Sequence, residues 1–495
     1  MSLIRSFLAL LITLYLVSCH KILDVEPYTF SSDVNYYENE SQILRAVNGA
    51  YGSLQELYTG EGFWAMTEMV SDNTNYQFDE SDRGAQQREE IDEFLITSTN
   101  NYVESVWNLL YRNIQQTNVV IERMEPVEFV DQKIKDRYSG EVRFLRAFQY
   151  FHLVRLFGSV PLITEEIKDP ESSFKGDKAS IDELYEFILS DLDYAADHLP
   201  EKYTGNDIGR VTKGAVLTLL GEVYLTLREY DKAKENFEKV TELNYELLSN
   251  YAQNFDPSYK NNIESIFSIQ FDESLETEAS NFIFMFGPRN AKDKLIGFPG
   301  NLGGSNIPTL SIFNTYESND KRREASIELF DDPTNEKFEE AKAFEGKIPF
   351  VKKYYHPPFL EDGRSNENWP VYRYSHVLLM LAEAMNELGQ GDPYPYLNKV
   401  RERAGLDAIE NLNQDELREA IFQEQRVEVA FENHRWFQLL RTDKAIEVMT
   451  EHGIEEKDRL KRLSSASYNI QEYKLLFPIP EREVRLNKLE QNPEW

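Results

Sequence analysis

Cysteine is almost missing from this chain: Cys19 is the only one in 495 residues. No intrachain disulfide can form, so the fold must be held by its core, and the length allows one large core or two medium ones. Long apolar runs are equally scarce. Phe7 to Val17, interrupted by Thr13, is the one stretch of that kind; it is too short to span a bilayer as a helix, and no later segment does better. Basic residues are outnumbered 53 to 86, which leaves a formal charge of −33. So acidic a chain repels phosphate backbones, which argues against a nucleic-acid partner. The 7 histidines are scattered with no His-x-x-x-His pair, and no glycine-rich phosphate loop precedes a helix. No loop carries a dense Asp-x-Asp pattern for calcium. The expectation is no metal and no cofactor.

What is present begins with a targeting segment. Arg5 precedes the apolar run, and Leu16-Val17-Ser18-Cys19 ends it in the form of a bacterial lipobox. Residues 1–18 are therefore expected to be a lipoprotein signal peptide, with Cys19 the lipidated mature N-terminus and lipid the means of membrane attachment. His20 to about Tyr37 lacks periodicity and reads as a tether.

Helical period follows. Ile43, Val47, Ala50, Tyr51 and Leu54 make one apolar stripe. A polar interval, Ser71 to Asp92, separates it from a second helix, about Tyr102 to Met124, with Val103, Val106, Trp107, Leu110, Ile114, Thr117 and Ile121 on one face. The third, about Asp136 to Phe157, places Phe144, Ala147, Phe151 and Val154 together and is stopped by Gly158 and Val160-Pro161. Between Lys213 and Val240, the residues Leu217, Leu220, Gly221, Tyr224, Ala233 and Phe237 stand at the offsets of a tetratricopeptide repeat. The small Gly221 lets two antiparallel helices approach, and Ala233 and Phe237 pack against it from the second. A degenerate copy starts at Leu378, Leu381, Ala382 and Met385, with its partner near Tyr394 to Arg403. One clear repeat cannot make a solenoid, so the earlier helices must supply disguised pairs.

Residues 254–368 behave differently. Glu264 to Phe271 alternates like a short strand, and glycines at 287, 297, 300, 303 and 304 mark turns after it. The fold expected is mainly α: a tetratricopeptide-like helical-repeat scaffold with an irregular loop-rich insert. An N-terminal part, 19–250, would be followed by a C-terminal part, 251–495, that carries the insert at 254–368.

Sugar or peptide recognition needs aromatic platforms beside amides and charges. Two regions offer that mixture. The first holds Trp64, Asp72, Asn73, Asn75, Tyr76 and Phe78; the second holds Phe298, Asn301, Tyr316, Arg322, Tyr354, Tyr355 and Trp369. Glu424, Glu428 and Glu432 recur every fourth residue, but one helix ridge does not place two acids on opposite sides of a glycosidic bond. They are expected to pair with Arg426, Arg435 and Arg441, and the chain is not expected to be an enzyme. Arg143, Arg146 and Arg155 are likewise expected in ion pairs or on carbonyls.

Three stretches, Arg143 to Leu162, Glu419 to Phe437, and Leu476-Phe477-Pro478-Ile479-Pro480 through Gln491-Asn492-Pro493-Glu494-Trp495, together with the lipobox, resemble the SusD/RagB family. Asn433 and Gln438 stand where that family often has Gly and Asp. The resemblance implies an outer-membrane, lipid-anchored nutrient-binding protein. It would act as the lid of a SusC-like TonB-dependent transporter and capture glycans, less often peptides or other nutrients. It would face the cell exterior, with Asp24 and Glu26 following His20 and Lys21 after the anchor. A helical scaffold that binds only protein is the alternative.

Overall fold

The computed structural model of the protein describes residues 37–80, 86–168 and 177–495; the expected signal peptide, Cys19 and most of the tether lie outside them. The first stripe forms α1 (Glu40–Thr59). Asn39 caps it by accepting from the Gln42 amide, and Ile43, Val47, Ala50 and Leu54 are buried. α2 (Asn101–Met124) starts at an Asn100 cap and buries Val103, Val106, Trp107, Leu110 and Ile114. Both pack against α3 (Gln132–Phe157).

Every residue of α3 from Phe144 to Phe157 is buried, because α2 lies along one flank and α4 (Ile181–His198) along another. A charge in such a place must be paired. Arg146 donates to both oxygens of Asp191 at 2.7 and 2.9 Å, Arg143 reaches the same carboxylate at 2.9 Å, and Arg155 pairs with Glu222 at 2.9 Å. The ion-paired reading of these arginines is the observed one. Gly158, at φ 73°, ends the helix. The last carbonyls of α3 are then met from the far end of the chain: the Phe477 amide donates to Leu156 O at 2.8 Å, and the Asn492 side chain donates to Phe157 O at 3.0 Å.

α5 (Lys213–Thr226) and α6 (Tyr230–Thr241) pack side by side, and a Cβ on Gly221 would overlap the Phe237 ring. The close approach read from the spacing is thus made. α7 (Tyr374–Leu388) packs on α6 and on the two helices after it, α8 (Tyr394–Ala404) and α9 (Gln414–Glu428); α10 (Ala445–Arg459) follows. No described helix is long and apolar enough to cross a membrane.

Three two-stranded antiparallel pairs stitch the irregular stretch together. β1 (Thr74–Asn75) pairs with β3 (Ile307–Pro308), β2 (Ser265–Ile269) with β6 (Trp369–Arg373), and β4 (Ile327–Asp331) with β5 (Lys347–Val351). A small core of its own, including Ile283, Phe284, Leu295, Ile296, Phe350 and Phe359, supports the outer loops. β1 corrects one expectation. It lies in the interval read as polar and as the seat of ligand-binding candidates, and Ser71 to Gln77 are all buried beneath the insert.

Candidate functional site

The buried interval is the socket on which the insert sits. After Trp64, a wide turn of helix at Ala65–Met69 points Glu68 inward. Its carboxylate accepts from Asn73 Nδ2 at 3.0 Å and from the amides of Phe431 and Asn433 at 2.9 Å each. Burial pushes the Glu68 carboxyl up to about 7, against those three donors. Asp72 meets Arg435 Nε at 2.8 Å and Arg426 Nη2 at 2.9 Å. Burial opposes the charge on Asp72, but the two guanidinium groups outweigh it and hold the carboxyl below the usual range. Thr309 Oγ1 donates to Asp72 O at 2.8 Å, which ties the insert down.

This geometry revises the first set of candidates. Trp64, Asp72, Asn73, Asn75 and Tyr76 lie in the interior. Asn73 Oδ1 accepts from Arg426 Nε at 3.0 Å, Asn75 donates to Glu456 at 3.0 Å, and Tyr76 donates to Glu93 at 2.5 Å. Asp72, Asn73 and Tyr76 are thus engaged within the fold, while the Trp64 indole N–H and Asn75 Oδ1 are buried without a partner among the described residues. Phe78 alone of this set is half-buried, at the edge of the socket under the Arg462 guanidinium.

Tyr316, Arg322 and Trp369 are also interior. Tyr316 donates to Val427 O at 3.2 Å, and Trp369 stacks on Tyr354 with ring centroids 4.8 Å apart. Arg322 binds Asp320 at 2.9 Å, Glu424 at 2.6 Å and Glu428 at 3.1 Å. The acidic ridge therefore has other partners than its neighbours in sequence. Arg373 and Arg403 reach Glu428 at 2.8 and 2.6 Å, and Lys353 reaches Glu432 at 2.6 Å. Arg426 and Arg435 turn to Asp72 instead, and Arg441 turns to Glu383 at 2.8 Å. The reason is that α9 ends at Glu428. Phe431 and Asn433, both at φ 68°, fold the chain back and carry Glu432 off the helix. Asn433 adopts the backbone shape for which the family often uses Gly. Burial opposes ionisation of Glu428, yet Arg403, Arg373 and Arg322 hold it well below the carboxylate range.

Of the predicted set, Asn301 is exposed, and Phe298 and Tyr355 keep part of each ring at the surface. Both rings pack on the insert's small core, and Tyr355 OH donates to Leu295 O at 3.2 Å. Leu360, in the same insert, is 65% exposed. This rim, with two anchored aromatic rings near an open amide, can stack on an apolar face and read a hydroxyl.

Sequence reasoning missed a second concavity. A groove of about 480 Å³ opens between the α4–α5 loop, the turn after α6 and the approach to β2. Its walls come from three distant loops with no common period, so no local pattern announces it.

A helical scaffold bearing a loop-built insert is the class of architecture these elements define. The SusD family model matches residues 347–495, and a second model, described as starch-binding and associating with the outer membrane, matches residues 21–225. The chain belongs to the SusD family. SusD-like protein P2 of Formosa agariphila is 27% identical over 99% of this chain and 98% of its own length. A solved laminarin-binding SusD-like protein is 26% identical, with a TM-score of 0.77 over 93% of this chain and 100% of that one. A SusD homologue from Bacteroides thetaiotaomicron shares the fold at 24% identity, with a TM-score of 0.79 over 94% and 99% of the two chains.

Proposed function

We propose that this protein captures a glycan on the rim of its insert and hands it to a SusC-like TonB-dependent transporter, while Cys19 anchors it by lipid to the outer face of the outer membrane. The observation that carries the reading is the full-length likeness to a protein that binds laminarin. The rim supports it physically. Phe298 and Tyr355 are held on a small core and offer ring faces to the C–H faces of a sugar, and the exposed Asn301 offers an amide to its hydroxyls. Phe78, at the socket's edge, is the remaining aromatic candidate. The reading is of binding without catalysis, since Glu424, Glu428 and Glu432 are engaged by arginine and lysine.

Affinity electrophoresis and calorimetry against laminarin, starch, other polysaccharides and a peptide panel test this. Binding of at least one neutral glycan is expected, with a loss of about tenfold in Phe298→Ala/Tyr355→Ala, or about 1.4 kcal/mol. Absence of binding to every glycan would sink the proposal. For the anchor, Cys19→Ala should move the protein from the membrane to the soluble fraction.

A further inference from the structure

The groove between the α4–α5 loop and β2 is braced as few surface concavities are. Beneath it, the buried Glu141 of α3 accepts from Tyr51 OH at 3.0 Å, Tyr203 OH at 3.1 Å and Arg210 Nη1 at 2.9 Å. One carboxylate thus ties α1, α3 and the α4–α5 loop together. Arg210 also binds Asp207 at 2.7 Å and Asn48 at 2.6 Å. On the same wall Gly209, at φ 97°, lies so close to the Gln270 side chain that a Cβ would come within 2.8 Å of it. That Gln270 carboxamide is locked to Asn261 by two hydrogen bonds, at 2.9 and 3.0 Å. On the opposite wall Tyr245 bonds Thr212 at 3.2 Å and fills the space that a side chain on Gly214 would need. The concavity is pre-formed rather than a gap between loose loops, and its volume falls in the range of small-molecule sites.

Its chemistry selects a ligand class. The guanidinium of Arg210 is neutralised inside the wall by Glu141 and Asp207, so it offers no charge to a ligand. What faces the opening is mixed: Ile208 and Ile263, 52% and 46% exposed, the exposed Asn244, and the exposed Glu201 and Lys202, one charge of each sign. Exposed aliphatic faces beside amides, hydroxyls and an opposed pair of charges that leaves no net charge fit a pyranose ring, which is apolar on its C–H faces and polar at its edge.

The geometry points to a second, scaffold-borne binding site for a short neutral oligosaccharide in this groove, separate from the rim of the insert. None of the groove-lining residues is a rim residue. A polymer held at the rim and touched again at the groove would gain by effective concentration, whereas an isolated short oligosaccharide would show two binding events. The inference rests on the glycan reading above and names a further site for that same ligand class.

Calorimetry of the full chain with laminarihexaose and with neutral gluco-, manno- and galacto-oligosaccharides tests it, with four proteins compared: the unaltered chain, two double variants and their combination. Ile208→Ala/Ile263→Ala removes exposed side chains and leaves the Glu141 brace intact; Phe298→Ala/Tyr355→Ala disables the rim. Two binding events are expected in the unaltered protein, and each double variant should keep one. Binding by the rim-disabled protein that drops about tenfold on adding Ile208→Ala/Ile263→Ala would support the groove. Binding that the groove substitutions leave unchanged in both backgrounds overturns the groove and spares the rim. Binding lost with the groove substitutions but not with the rim ones overturns the rim and spares the groove. Absence of all saccharide binding overturns both.

Discussion

Asp72 and Arg435 stand 363 positions apart in the chain and meet side chain to side chain at 2.8 Å in the interior. Arg426 joins them at 2.9 Å. This cluster fastens the segment after α1 to the segment after α9, and the insert is laid over it.

Removing the charge from that cluster should be costly. Asp72→Asn leaves two buried guanidinium groups facing a neutral amide, and the expected loss is about 3–5 kcal/mol in urea unfolding. The pH dependence follows from the depressed carboxyl. Its stabilisation is complete above the ordinary value of 3.8 and fades as pH falls below it. Asp72→Asn should therefore flatten the acid limb of the stability profile as well as lower the plateau. An unchanged acid limb would refute the assignment.

Glu68 works in the other direction. Its carboxyl is raised from 4.5 to about 7, so its contribution is fullest below 4.5 and is lost as pH rises through about 7. Thermal unfolding of Glu68→Gln and of the unaltered protein should diverge in slope between pH 4.5 and about 7, with the variant the flatter of the two. Parallel curves over that window would show that Glu68 does not titrate there.

Trp369→Ala separates a structural aromatic from a binding one. The indole stacks on Tyr354 and meets Phe282 edge-on with centroids 4.8 Å apart, wholly buried. Truncation should cost about 3–5 kcal/mol. Protein that remains folded at low temperature should keep its glycan affinity, whereas a stacking platform would lose it. Calorimetry on the folded fraction decides the matter.

Gly221→Leu tests the helix pair. The added side chain would drive into the Phe237 ring, and such overpacking typically costs about 1–3 kcal/mol. Differential scanning calorimetry should show a lower Tm, and Phe237→Ala in the same chain should restore part of it. No recovery would mean that the strain falls elsewhere.

The scaffold was legible because helix periodicity is local. The stripe of Ile43, Val47, Ala50 and Leu54 lies within one helix and the spacing of Gly221 to Phe237 within one pair of adjacent helices, and each is packed as its spacing implies. The site was less legible because its logic is non-local. Trp64, Asp72 and Asn75 have the composition of a binding loop, yet residues more than 200 positions away cover them. The ridge at Glu424, Glu428 and Glu432 read correctly as ion-paired but with the wrong partners. A turn at Phe431 and Asn433 and the cations Arg322, Arg373, Arg403 and Lys353 from other elements decide the pairing, and no spacing reveals them. Phe298, Asn301 and Tyr355 reach the surface because their loops rest on a core too small to hide them.

The tail that closes α3 bears on the order of synthesis. Phe477 and Asn492 complete hydrogen bonds on a helix that begins at residue 132, so this helix is not finished until the last residues have been made. Such long-range closure slows folding. A chain cut before Phe477 would leave the last carbonyls of this helix without those two donors.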